Sequence, residues 1–186
     1  MIRSKDDLLN YLAADRKALG SPKGLKYWLL FEPWKIQVML RWAEYHKNSG
    51  HRLRALLSNF RFQRYSHRYG MVIHLNVFGP GLSIAHPGMI IVNEAARVGA
   101  NCRIHPGTVI GTAAGQSKAA PQIGDNVYIG PGAKIFGAIR IGNNVAIGAN
   151  AVVNKDVPDN VTVGGIPAKV ISERNSESLL IEGVEA

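Results

Sequence analysis

The sequence contains a single cysteine, Cys102, in 186 residues. That excludes an intrachain disulfide and every scaffold stapled by several of them, and it fits a reducing compartment. Long apolar runs are also missing. The stretch at 27–31 is far too short to span a bilayer, and no apolar run of signal-peptide type opens the chain. The expectation is a soluble, cytoplasmic protein. Charged residues make up only 19% of the chain, below the usual quarter. Acids are the scarcer sign: 13 Asp and Glu stand against 22 Lys and Arg, for a formal net charge of +9.

The imbalance is local. Residues 51–70 carry Arg52, Arg54, Arg61, Arg64 and Arg68 with no Asp or Glu among them. A solvated helical face or a subunit contact accounts for such a patch. So does attraction to an anionic membrane surface, possible at the inner membrane face, to an acidic glycan, or to a phosphorylated ligand. Nucleic acid is not expected, because no helix-turn-helix, zinc-finger or RNA-module pattern accompanies the charge.

What is present divides into two regions with different periods. Residues 1–68 read as an α-helical N-terminal region. Ser4 with Asp6 and Asp7 marks a helix start, followed by Leu8, Leu9, Leu12 and Ala13. Gly20, Ser21, Pro22 and Gly24 break that helix. Pro33 suits the first turn of a second one, where Ile36, Met39, Leu40 and Ala43 repeat at helical spacing until Asn48-Ser49-Gly50. A third helix from about 51 carries Leu53, Leu56, Leu57 and Phe60. Trp28, Trp34 and Trp42 read as packing residues.

From Val92 onward an Ile or Val returns every sixth residue: Val92, Val98, Ile104, Ile110, then Ile123, Ile129, Ile135, Ile141, Ile147 and Val153. Glycine often follows, as at Gly99, Gly111, Gly124, Gly130, Gly142 and Gly148. Four places after each branched residue the side chain is usually small or apolar: Ala96, Cys102, Thr108, Val127, Ala133, Val145, Ala151. Neither an α-helix, with period 3.6, nor a flat strand, with period 2, repeats at six. A short strand plus a bend does, stacked three units per coil into a triangular solenoid whose interior takes the branched residue. Cys102 then reads as a small inward residue, not a catalytic thiol. Between Ile110 and Ile123 the period breaks, so about seven extra residues form a loop within 112–121, rich in Ala, Gly, Ser and Lys. A loop thrown out of a regular stack is usually functional.

These residues resemble the hexapeptide-repeat acyltransferases of the serine acetyltransferase superfamily, especially its sugar and polysaccharide O-acetyltransferase branch. The resemblance is carried by Asn76-Val-Phe-Gly-Pro-Gly-Leu-Ser-Ile-Ala-His86-Pro-Gly, by Asn101-Cys-Arg-Ile-His-Pro-Gly107, by Ile123-Gly-Asp-Asn-Val-Tyr-Ile-Gly-Pro-Gly-Ala-Lys134 and by Gly164-Gly-Ile-Pro-Ala-Lys169. It covers about 72–173. It implies a mainly β fold, a left-handed parallel β-helix over 69–173, preceded by the helical region 1–68 and followed by a tail, 174–186. It also implies a homotrimer with sites in the clefts between copies, acetyl-CoA as co-substrate, and no metal.

An alcohol is a poor nucleophile until its proton is removed, and imidazole suits that task at neutral pH. His86 stands six before Val92, where the period calls for an aliphatic residue, and it matches the family's catalytic histidine. His105 either lines the acceptor cleft or is a surface histidine. His74 precedes the regular repeats and is a further candidate. A zinc site of His74, His86 and His105 would satisfy a ligand count, but it lacks the paired His-x4-His element of the β-helical carbonic anhydrases. For the coenzyme, Pro131, Gly132 and Ala149 match positions whose backbones meet the pantetheine arm. Asn154 and Lys155 match a polar pair near its outer end, and Lys169 matches a basic residue near the nucleotide phosphates.

Three departures from the serine-specific pattern stand out. Ala85 replaces the Asp before the catalytic His. Val72-Ile-His-Leu75 lacks the upstream Asp. Lys118-Ala-Ala-Pro121 replaces a charged Asp-Arg-His-Pro loop. An amino-acid acceptor without charged partners is hard to justify. The expectation is therefore acetyl transfer to a hydroxyl of a sugar or polysaccharide. Serine O-acetylation is the alternative and a non-catalytic scaffold the second. With the upstream Asp missing, Asn93, Glu94 or a backbone carbonyl is left to orient the His86 ring.

Overall fold

A computed structural model describes residues 1–21, 24, 30–115 and 119–181. Pro22, Trp28 and Lys118, named above, lie outside the described residues, as does the end of the tail from 182. Among the described residues three helices come first: α1 (Lys5–Ala18), α2 (Glu32–Asn48) and α3 (Arg52–His67). The start of α1 follows from its sequence. Ser4 Oγ accepts from the Asp7 N–H at 3.0 Å and Asp7 accepts from the Ser4 N–H at 2.9 Å, which closes a capping box. Pro33 sits in the first turn of α2.

Among the described residues fourteen short strands follow, joined by bends, from β1 (Met71–Val72) and β2 (Ser83–Ile84) to β13 (Thr162–Gly164) and β14 (Lys169–Ser172). They make three sheets. Face A holds β1, β3, β6, β9 and β12; face B holds β4, β7 and β10; face C holds β2, β5, β8, β11, β13 and β14. All pairings between named strands are parallel except β13 with β14. Consecutive strands thus fall on successive faces of a triangular prism, three per coil: a left-handed parallel β-helix.

The period of six has the cause expected of it. All ten branched residues from Val92 to Val153 are buried, and so are Ala96, Cys102, Thr108, Val127, Ala133, Val145 and Ala151. Each hexad therefore sends two residues inward, one at the strand and one at the bend. Burial pushes the Cys102 thiol up to about 12, which leaves it protonated and inert. The corner between faces B and C carries a ladder of asparagines, Asn101, Asn126, Asn144 and Asn160, all at positive φ. Each donates from Nδ2 to the Oδ1 of the next at 2.8–2.9 Å. Asparagine tolerates the left-handed conformation and its amide stacks from coil to coil.

The open first coil needs partners for its backbone groups. The helices supply them. Gln37 and Arg41 on α2 are fully buried. Arg41 pairs with Asp15 at 2.8 Å and Glu44 at 3.0 Å, and donates to the Phe78 and Gly79 carbonyls. Burial pulls the Arg41 pKa down, but the two carboxylates outweigh it and hold the guanidinium charged. Asp15 in turn accepts from the Gly81 and Leu82 N–H groups, and Glu44 from that of Asn76. Ile36, Leu40, Ala43 and Phe62 join the same apolar core as the solenoid interior. The helical region is a lid on the prism rather than a detached unit.

Among the described residues one face of α3 has no partner. Phe62 and Ser66 are buried, whereas Leu53, Leu56, Leu57 and Phe60 all point outward, with Leu53 84% exposed. Arg52, Arg54, Arg61 and Arg64 are exposed beside them. No helix among the described residues is long and apolar enough to cross a membrane.

Candidate active site

The prism sorts the candidate residues onto two of its edges. The bend between β2 on face C and β3 on face A holds His86. One coil on, the bend after β5 holds His105. The bends after β8 and β11 hold Pro131, Gly132 and Ala149. These five share the edge between faces C and A. His74, Asn93 and Glu94 lie instead between faces A and B, on the bends after β1 and β3. The described part of the 112–121 loop, Asn154 and Lys155 share that second edge, on bends after β6 and β12.

His86 is exposed, with the buried Ile84 before it and the buried Ile90 after it. The Ala85 N–H donates to the Ile104 carbonyl at 3.0 Å, which ties the chain beside His86 to the strand that ends in His105. His105 is better fixed than sequence alone suggests. Its Nδ1 lies 3.0 Å from the Ile129 carbonyl, which can only accept, so Nδ1 carries the proton and Nε2 keeps a free lone pair. Its ring packs on Tyr128 at 4.9 Å between centroids. Burial lowers its pKa, the bond to Ile129 works in the opposite sense, and the positive charges of Arg103 and His86 lower it further. Those two charges reach it because both residues are its neighbours.

Arg103 was not among the residues singled out from sequence. It is half-buried on face C, paired in register with Ser83 of β2 and Tyr128 of β8. Its Nη1 donates to Ser83 Oγ at 3.1 Å. The signal was available: Arg103 and His105 flank the inward Ile104, one at the strand and one at the start of the bend, so both face outward.

The other candidates separate by what they touch. Asn93 uses its Oδ1 to accept from the Ala95 N–H at 2.9 Å, so it serves its own turn. His74 and Glu94 line a groove with Leu56, Asn59, Gln63 and Arg97. Within one chain neither Asn93 nor Glu94 reaches the edge that carries His86. The same separation dissolves the three-histidine zinc arrangement, since His74 stands on a different edge from His86 and His105. Among the described residues no three His, Cys, Asp or Glu side chains converge as a metal site.

At Pro131, Gly132 and Ala149 the same edge carries only small side chains or none. Gly132 has φ +77°, and a Cβ there would fall 2.0 Å from Asn150 Oδ1, so coil-to-coil packing demands glycine. Ala149 is exposed, and among the described residues its N–H has no backbone partner. Lys169 is exposed on β14, paired with Gly164.

This fold, with a polar histidine edge beside a bare glycine-rich groove, defines the hexapeptide-repeat transferases. Residues 120–155 match the family described as bacterial transferase hexapeptide (six repeats). The chain is similar to the serine acetyltransferase of Synechococcus elongatus, 44% identical over 104 residues, covering 55% of this chain and 43% of that protein. It is similar to the crystal structure of Neisseria gonorrhoeae serine acetyltransferase in complex with serine, at 31% identity and TM-score 0.76 over 91% of this chain and 71% of that one. It is similar also to the serine acetyltransferase of Brucella abortus in complex with coenzyme A, at 30% identity and TM-score 0.75 over 91% and 68%. The chain belongs to the serine acetyltransferase family. It spans half or less of the length of the curated relatives it matches.

These relatives overturn the sugar or polysaccharide acceptor read from the sequence, and the acidic glycan goes with it. That reading rested on charged groups missing at Ala85, Val72 and the loop. It assumed that only those positions supply charge to the acceptor, whereas the fold sets Arg103 on face C next to His105, which shares the edge of His86.

Proposed function

We propose that the protein is a serine O-acetyltransferase that moves the acetyl group of acetyl-CoA to the hydroxyl of L-serine. The observation that carries this reading is the likeness, over 91% of the chain, to an enzyme captured with serine. His86 acts as the general base. Its imidazole takes the hydroxyl proton as the serine oxygen attacks the thioester carbonyl carbon. The tetrahedral adduct then breaks its C–S bond, and the CoA thiolate leaves and recovers the proton from the imidazolium. O-acetylserine and CoA result. His105 stands on the acceptor side, its free Nε2 available to a donor on the substrate.

The bare edge suits acetyl-CoA. Pro131, Gly132 and Ala149 leave room for a narrow chain, and the unpaired Ala149 N–H offers a donor to a pantetheine amide carbonyl. Lys169 meets the phosphates farther along. Asn154 and Lys155 stand on the other edge, as do His74 and Glu94. A homotrimer resolves this division, because neighbouring prisms set the A–B edge of one copy beside the C–A edge of the next. We assign the outward face of α3 to contact between copies rather than to a lipid surface at the inner membrane face. Leu53, Leu56, Leu57 and Phe60 follow the i, i+3, i+4, i+7 spacing of a helix-packing seam, and the arginines border it.

The test is thiol release from acetyl-CoA by the purified chain with L-serine. Turnover is expected, and His86→Ala should lower kcat roughly 10²–10⁴-fold while acetyl-CoA still binds. A folded protein that binds acetyl-CoA and gives no O-acetylserine would sink the reading.

A further inference from the structure

Arg103 presents an unresolved charge. Among the described residues three ion pairs form, Lys35 with Glu32 and Arg41 with Asp15 and Glu44, and Arg103 is in none of them. Among the described residues the one hydrogen bond of its side chain goes to the neutral hydroxyl of Ser83, itself 2% exposed. The other arginines on the prism differ. Arg97 is exposed and donates to the Glu94 and Ala96 carbonyls, and Arg140 and Arg174 are exposed. A half-buried guanidinium has lost part of its hydration, and a cation in that state is costly unless an anion meets it. The planar fork of five N–H donors, most of them unused here, matches a carboxylate in two-point contact.

The place of Arg103 says which carboxylate. Ser83, its register partner on β2, stands three residues before His86, so their backbones are at most about 10 Å apart. His105, two residues after Arg103, stands with His86 on the edge between faces C and A, and the charges of Arg103 and His86 both act on its ring. A molecule that gives its hydroxyl to His86 and lies along this face turns the groups on its next carbon toward Arg103. Serine carries an ammonium and a carboxylate there, and only the carboxylate is drawn to a guanidinium.

We propose that Arg103 binds the carboxylate of the acceptor and so makes the enzyme choose an amino-acid alcohol over an uncharged-tail alcohol. This rests on the serine reading above. Arg103 is a specificity-determining residue and takes no part in moving the proton.

The experiment compares the full chain with Arg103→Gln and Arg103→Lys on two acceptors, L-serine and 2-aminoethanol. The second keeps the hydroxyl and the ammonium and lacks the carboxylate. Arg103→Gln should raise KM for L-serine roughly 10–100-fold, the loss expected of a charge-assisted contact, with kcat within about threefold. KM for 2-aminoethanol and for acetyl-CoA should stay at the wild-type value. Arg103→Lys keeps the charge without the fork and should fall between. A wild-type KM for L-serine in Arg103→Gln overturns the proposal, and so does an equal loss on both acceptors, which is the mark of a structural role. If the wild-type protein does not acetylate L-serine at all, the serine reading fails and the carboxylate role with it. If it does while Arg103→Gln is unchanged, the role of Arg103 alone fails.

Discussion

Gln37 accepts a hydrogen bond from the Ile84 N–H at 3.0 Å, and its Nε2 donates to the Leu82 carbonyl at 2.7 Å. One buried side chain on α2 thus replaces the strand that β2 lacks on its outer side. Because Ile84 stands two residues before His86, the helical lid fixes the start of the bend on which the candidate base sits. Gln37→Met keeps the shape and removes both bonds, leaving a buried N–H and a buried carbonyl unpaired. We expect a stability loss of about 2–4 kcal/mol, read by urea denaturation. We also expect a fall in kcat larger than any change in KM for acetyl-CoA, since the coenzyme groove lies on later coils. An unchanged denaturation midpoint would show that water replaces Gln37 at no cost.

Gly132 carries two constraints at once, a positive φ and the approach of Asn150 Oδ1 to where a Cβ would stand. Gly132→Ala should cost about 1–3 kcal/mol from the backbone conformation, with the steric contact added to it. Adding Asn150→Gly removes the contact and leaves the conformational cost. The double variant should therefore be more stable than Gly132→Ala alone by thermal denaturation. If the two are equally unstable, the contact is relieved by a side-chain shift.

The period of six was readable because every inward position from Val92 to Val153 must fill the same narrow interior, and branched aliphatic residues do so repeatedly. The spacing of six before Val92 does not make His86 an inward position: Ile84, buried and paired with Ile104, fills that place, and His86 lies on an exposed bend two residues longer than the period allows. The partition of the site between two edges was not read, although the positions obey it. It depends on phase around a coil of three hexads, and the loop after Gly111 shifts that phase. Arg103 escaped notice for a related reason: an arginine beside an inward Ile reads as ordinary surface until the register sets it against Ser83. The leucines of α3 announced an apolar face but not its direction, because spacing marks a stripe and only packing says which side the chain itself covers. The charged positions whose absence favoured a sugar were weighed one by one along the sequence, whereas charge reaches the acceptor through space.

His105 gives a pH test with a definite sign. Burial lowers its folded pKa, as do the charges of Arg103 and His86, against the opposing bond to Ile129. The unfolded chain holds it near 6.5. Above that value both states are neutral and the contribution is complete. As pH falls below about 6.5 the unfolded state takes up the proton first, so stability declines, and the decline levels off once the folded pKa is passed. His105→Gln can still donate to the Ile129 carbonyl but does not titrate. Between pH 7.5 and 5.5 the wild type should lose more stability than this variant, measured as the shift in denaturation midpoint. Parallel curves for the two proteins would show that His105 is not held neutral by the fold.

The outward seam of α3 makes the last prediction. Leu53, Leu56, Leu57 and Phe60 expose apolar surface that the chain itself does not cover, although Phe62 and Ser66 on the other side already anchor the helix. An apolar patch of that kind is stable in water when another surface covers it. If copies of the chain provide that cover, Leu53→Asp with Leu57→Asp puts two desolvated carboxylates into the seam of each copy and should dissociate the assembly at micromolar concentration. Light scattering would then show a fall from trimer to monomer mass. The helix should survive, because neither residue packs inward, so circular dichroism should stay near wild type. Activity should fall with mass, since Asn154, Lys155 and the His74 groove would no longer meet the His86 edge of a neighbour. Vesicle pelleting gives the opposing result: if the wild type stays monomeric and binds vesicles of anionic phospholipid, and the double variant does not, the seam belongs to a membrane surface. A trimeric double variant that keeps full activity would mean that the copies meet elsewhere on the prism.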